Sequence, residues 1–99
     1  MKVPTSEIET KKKVGKLGSK GVWMVKTRGG LFLIATDGGG EVIGSGPHRA
    51  VAKAIAQRRN PDLEWTELSK SEWVDPETFA HLMPKYESMT DDLRRLQGR

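Results

Sequence analysis

Arg49 and Lys53 stand one helical turn apart, just after the run Gly44-Ser45-Gly46-Pro47. At a helix start this spacing stacks two cations on one stripe. The first backbone N–H groups of a helix and the positive end of its dipole already favour an anion there. Lys11, Lys12 and Lys13 form a second cationic run, and Arg28 a third position between two apolar stretches. Residues of this type contact phosphate groups through charge and carry no sequence information by themselves. The same stripe also reads as a solvated surface that keeps the helix soluble.

Other chemistries find little support. The segment Asp37-Gly38-Gly39-Gly40-Glu41-Val42-Ile43-Gly44-Ser45-Gly46 is rich in glycine, but no Gly-Lys-Ser/Thr follows it and the dinucleotide fingerprint is absent. Its glycines read as turn formers. His48 and His81 have no cysteine and no acid at ligand spacing, so no metal site is expected. Ser45 lies near His48 but not in a Gly-x-Ser-x-Gly elbow. The carboxylates between residues 62 and 77 form no recognisable acid/base pair. A non-enzymatic protein without cofactor is the expectation.

The elements that position the cations are readable from alternation and turn residues. Gly21 to Thr27 alternates as a strand, with Trp23 and Val25 on one face and Val22 and Met24 on the other. Arg28-Gly29-Gly30 is a tight turn. Leu31 to Thr36 is apolar on both faces and suits a central strand, and the glycines of 37–40 allow the next reversal into a short strand over Glu41 to Ile43. Ser45 or Gly46 can cap a helix near 47–59, with Pro47 in its first turn and Asn60-Pro61 as its stop. Val51, Ala52, Ile55 and Ala56 give that helix a narrow face of small apolar residues. Leu63 to Leu68 reads as a fourth strand or as an extended segment pinned by Trp65 and Leu68. Asp75-Pro76-Glu77 starts a helix that Pro84 ends, and Thr90-Asp91-Asp92 opens a last one with Gly98 as its C-cap. The predicted fold class is therefore α+β. A three-stranded antiparallel sheet, with a fourth strand in one reading, packs on a helix and is followed by one or two short C-terminal helices.

Residues 1–20 read as a flexible basic arm, because Pro4, Gly15 and Gly18 interrupt any period and the lysines repel one another. Residues 21–97 make the single small domain that 99 residues allow. Residues 1–60 hold twelve Lys/Arg against four acids, whereas 61–99 hold five against nine, so the net charge of +4 conceals a basic and an acidic half. A basic half attracts phosphate backbones or acidic proteins. Cysteine is absent, the first residues lack the apolar stretch of a secretory signal, and no run is long enough to cross a bilayer. A soluble cytoplasmic protein with no membrane partner is expected.

Residues 31–59 resemble part of the double-stranded-RNA-binding domain. That family runs antiparallel strands into a helix that begins Gly-x-Gly-x-Ser-Lys-Lys-x-Ala-Lys-x-x-Ala. Gly44, Gly46, Arg49, Ala52, Lys53 and Ala56 match in register, with Arg accepted for Lys; His48 stands for the Ser and Ala50 for one Lys. The resemblance implies that Arg49 and Lys53 grip phosphates across an RNA major groove. Two function classes follow. One is a nucleic-acid-binding protein for an RNA or DNA duplex, using Lys11, Lys12, Lys13, Arg28, Arg49 and Lys53. The other is a small accessory factor of phage or plasmid type that docks on a larger protein, with Trp65 and Trp73 as its anchors.

Overall fold

The computed structural model describes residues 8–36, 41–66 and 77–97. The protein is α+β, as its sequence leads one to expect, but with more strands. The elements are β1 (Ile8–Leu17), β2 (Lys20–Thr27), β3 (Phe32–Thr36), β4 (Val42–Gly46), α1 (Arg49–Arg59), β5 (Glu64–Trp65) and α2 (Met83–Gln97). The five strands form one antiparallel sheet in the order β4-β3-β2-β1-β5.

The three-strand meander of β2, β3 and β4 forms where alternation and glycine turns place it. Thr27 and Leu31 close the 28–30 turn with reciprocal bonds. The Thr27 N–H and Oγ1 donate to the Leu31 carbonyl at 2.9 and 3.0 Å, and the Leu31 N–H donates to Thr27 Oγ1 at 3.1 Å. Gly30 takes φ +84°, which a side chain would strain.

The flexible arm expected over residues 1–20 is corrected for its second half. Ile8 to Leu17 is a strand, joined to β2 by a two-residue turn in which Gly18 has φ +62°. Gly18 is thus a hairpin residue and not a breaker. Gly15 serves packing, since a Cβ there would overlap the Glu64 carbonyl oxygen on β5. Residues 1–7 lie outside the described residues. Of the described part of the segment 63–68, residues 63–66, Glu64–Trp65 is a strand that pairs with Lys16 and Gly15.

α1 begins at Arg49, two residues later than the sequence suggests. Its N-cap is His48, which makes no side-chain capping bond, while Ser45 and Gly46 stay in β4. The Ser45 hydroxyl is engaged elsewhere: it donates to the Tyr86 carbonyl at 3.2 Å and shares a 2.8 Å hydrogen bond with Thr90 Oγ1. The Asn60 N–H and Nδ2 both donate to the Ala56 carbonyl at 3.0 Å and close the helix.

Six consecutive residues of α1, Val51 to Ala56, are buried because the helix is covered on two sides. Ala52 and Ala56 pack on Val22, Met24 and Ile34 of the sheet. Val51, Ala54 and Ile55 pack on Phe79, Leu82, Met83 and Tyr86. Trp65 belongs to the first of these clusters. Residues 77–82 form turns, and α2 starts at Met83, so Pro84 sits in its first turn and does not end a helix. A proline costs little there, because N–H groups of the first turn have no intrahelical acceptor. Thr90-Asp91-Asp92 lies inside α2. The proposed helix start at Asp75-Pro76 and the cap at Gly98 lie outside the described residues.

α2 is tied to α1 by polar contacts as well as packing. Arg59 pairs with Asp91 at 2.7 Å and donates to the Glu87 carbonyl at 3.0 Å, and Arg58 pairs with Glu87 at 3.0 Å. The Arg59 guanidinium holds the Asp91 carboxyl below its ordinary range. At the other end Arg94 pairs with Glu41, and Leu93 packs on the cluster of Val25, Leu33 and Val42.

Gly44 sets how closely α1 lies on β4. A Cβ there would overlap the Ala52 carbonyl oxygen and stand 3.0 Å from Ala56 Cβ. Gly44→Ala should therefore lower stability by about 1–3 kcal/mol, as overpacking does. Gly29→Ala, whose nearest neighbour would be 4.0 Å away, should stay within about 0.5 kcal/mol. Chemical denaturation of the two variants checks the contrast.

Candidate functional site

Strand alternation sorts the lysines of β1 between the two faces of the sheet. Lys11 and Lys13 pair in register with Val25 and Trp23, and Lys12 pairs with Met24. Lys12 therefore shares a face with Thr10, Met24 and Lys26, the side on which α1 lies. The N-terminal half of α1 brings Arg49 and Lys53 over the same ground, one turn apart.

Between these elements lies a cleft of about 40 Å³. Val14, Met24 and Phe32 give it an apolar floor, and Thr10 supplies a hydroxyl. Lys12, Lys26, Arg49 and Lys53 supply the charge, and none of the described residues lining it is acidic. Lys26 also pairs with Glu9 at 3.6 Å. The Phe32 ring organises two of the cations, with Arg49 Cζ 5.7 Å and Lys26 Nζ 6.0 Å from its centroid. Both lie in the range where a ring face attracts a cation. Arg49 is also the first residue of α1, whose first turn carries no acid. The positive end of the helix dipole thus adds to the field at this cleft.

Lys53 is the unexpected member. Its residue is only 1% exposed, the largest fully buried side chain described. The Nζ lies 5.4 Å from the Trp65 ring centroid, and Trp65 Nε1 donates to Gln57 Oε1 at 3.4 Å. The Lys53 side chain lines the cleft from beneath, with its Nζ buried between helix and sheet.

Of the cations singled out from sequence, Lys12, Arg49 and Lys53 come together at the cleft. Lys11 and Lys13 project from the opposite face, where Lys11 Nζ stands 4.7 Å from the Trp23 ring centroid. Arg28 is exposed in the turn that closes the Lys26–Phe32 end of the hairpin. Lys26 was not anticipated, although its alternation with Met24 in β2 is a usable signal. Trp65 is half-buried against the core, and Trp73 lies outside the described residues. Gly44 and Gly46 do not open the backbone to a ligand: the space beside each is filled by α1, with Val51 Cγ1 2.7 Å from a Cβ at Gly46. His48 and His81 are exposed, and the described residues contain no group of three or more His, Cys, Asp or Glu able to hold a metal. No described helix is long and apolar enough to cross a membrane.

Comparisons with protein families, curated proteins and solved structures return no match. The geometry of the cleft is therefore what bears on function.

The two cations from α1 should respond differently to charge reversal. Lys53→Glu would bury a carboxylate where a cation stood and should destabilise by roughly 3–5 kcal/mol. Lys53→Met keeps the unbranched stem and should fold with much smaller loss. Arg49→Glu, at an exposed position, should fold like the parent. Denaturant titrations of the three variants would test this order.

Proposed function

We propose that the protein is a non-enzymatic nucleic-acid-binding protein that seats backbone phosphates at the cleft of Lys12, Lys26, Arg49 and Lys53. The observation that carries this reading is the convergence of four cationic side chains from three elements on one small cleft. An apolar floor beneath charged rims lowers the local dielectric and strengthens attraction for an anion. Arg49 stands at the start of α1, so the positive end of the helix dipole adds to the same field. Arg28, exposed in the turn at the Lys26–Phe32 end of the hairpin, extends positive potential beyond the cleft, whereas Lys11 and Lys13 on the opposite face do not.

The resemblance of residues 31–59 to the double-stranded-RNA-binding domain makes an RNA duplex the first ligand to try, with a DNA duplex beside it. The role given to Lys53 then changes. Buried beneath the cleft, it adds its charge to the field there and does not reach out across a groove. Recognition of this kind is independent of base sequence.

Fluorescence anisotropy with short RNA and DNA duplexes tests the reading. Log affinity should fall linearly with log salt concentration. Lys12→Ala with Arg49→Ala should weaken binding to all sequences alike and lower the salt slope by about one to two units. A parent that binds neither duplex at about 50 mM salt would contradict the proposal. An accessory factor that docks on a larger protein would then be the better account.

A further inference from the structure

β1 is paired with β2 along its length, but on its other side β5 meets only Gly15 and Lys16, and the Thr66 N–H donates to the Val14 carbonyl at 2.9 Å. Among the described residues, no strand borders Ile8 to Lys13 on that side. We infer that this edge is a docking site for an extended acidic segment of a partner protein, which adds to the sheet as a strand in line with β5. The inference goes beyond the phosphate cleft and does not depend on it.

The β1–β2 register shifts between Ile8 and Thr10 and again between Lys13 and Gly15, so Thr10 to Lys13 is the regular run of the edge. It spans about 13 Å at the usual rise of a strand. All four residues are exposed. Alternate residues of an edge strand turn their N–H and C=O groups outward, and such a row is a template for another strand. Lysines on the edge select what can use it. A second copy would bring one lysine run against another, and like charges across strands repel. An acidic strand turns the same charges into attraction. Their placement defines the acid pattern. Lys11 and Lys13 stand on the Trp23 face and Lys12 on the α1 face. A matching strand therefore carries three acids in succession, which supply carboxylates to both faces, in place of the alternation of a half-buried strand. The described acids on and beside the edge, Glu9 and Glu64, pair with Lys26 and Lys16. The Trp23 ring, 4.7 Å from Lys11 Nζ, helps to hold that cation in place. A nucleic-acid backbone fits this edge less well, because it has no N–H groups to meet the outward carbonyls.

Amide exchange followed by NMR on the full chain tests the inference, with the peptide Thr-Val-Glu-Glu-Glu-Val-Thr as probe. In the free protein, alternate amides between Thr10 and Lys13 should exchange fast, and the peptide should protect them. The same peptide methylated at its backbone nitrogens keeps its charge but loses its donors. It should bind at least about tenfold more weakly. Lys11→Glu with Lys13→Glu, changed at exposed positions, should keep the far-ultraviolet circular dichroism of the parent and lose the peptide by a similar factor. That variant should instead take Thr-Val-Lys-Glu-Lys-Val-Thr, a gain that misfolding cannot produce. Protection of all four amides in the free protein would overturn the inference, because the chain or a second copy would then cover the edge. Equal binding of the methylated peptide would overturn it by showing attraction through charge alone. So would absence of any protection at about 1 mM peptide, or protection of the same amides by an RNA duplex as strong as that by the peptide.

Discussion

A side chain at position 44 would overlap the Ala52 carbonyl, so α1 can rest on β4 only through a glycine. The rest of the molecule depends on that close seat. It draws Ala52 and Ala56 onto the sheet and turns Val51, Ala54 and Ile55 toward Phe79, Leu82 and Met83. It places the C-terminal arginines of α1 against Glu87 and Asp91 of α2. It also lowers the first turn of the helix over Phe32, which brings Arg49 beside the ring and carries the stem of Lys53 into the interior. The basic cleft is a product of helix packing more than of surface charge.

Burying a lysine between helix and sheet is costly unless its charge is compensated. Here the stem contributes packing and the ammonium stands near an aromatic face. A methionine would fill the same volume without desolvating a charge. The surface pairs that hold α2 are of a different kind. Arg58–Glu87 and Arg94–Glu41 join substantially exposed groups, and pairs of this type contribute little each. The buried hydrogen bond between Ser45 and Thr90, with Leu93 on its cluster, fixes α2 more firmly than the ions do.

The meander and α1 were legible because their signals are local: alternation in β2, apolar residues in β3, glycine turns between them, and a small-residue face after Pro47. β1 was hidden. Its lysines fall on both faces of a strand, so it shows no apolar alternation, and its two glycines imitate breakers while serving a hairpin and a close contact with β5. Pro84 reads as a stop in the sequence because proline breaks a helix interior, and only the start of α2 at Met83 shows that it sits in a first turn. The same blindness limited the site. Without β1 as a strand there was no reason to separate Lys12 from Lys11 and Lys13. Without the sheet there was none to join Lys26 to Arg49. The i, i+4 pair of Arg49 and Lys53 was visible, but exposure of one and burial of the other follow only from the glycine seat on β4.

The central claim is that phosphate meets the protein at this cleft and not on its basic surface at large. Backbone amide shifts followed by NMR during titration with a short duplex test it most directly. The account predicts the largest shifts at Thr10, Lys12 and Val14, at Lys26 and Phe32, and at Arg49 and Lys53, saturating together. Shifts concentrated instead on Lys11, Lys13 and Trp23 of the opposite face, with α1 unmoved, would contradict it.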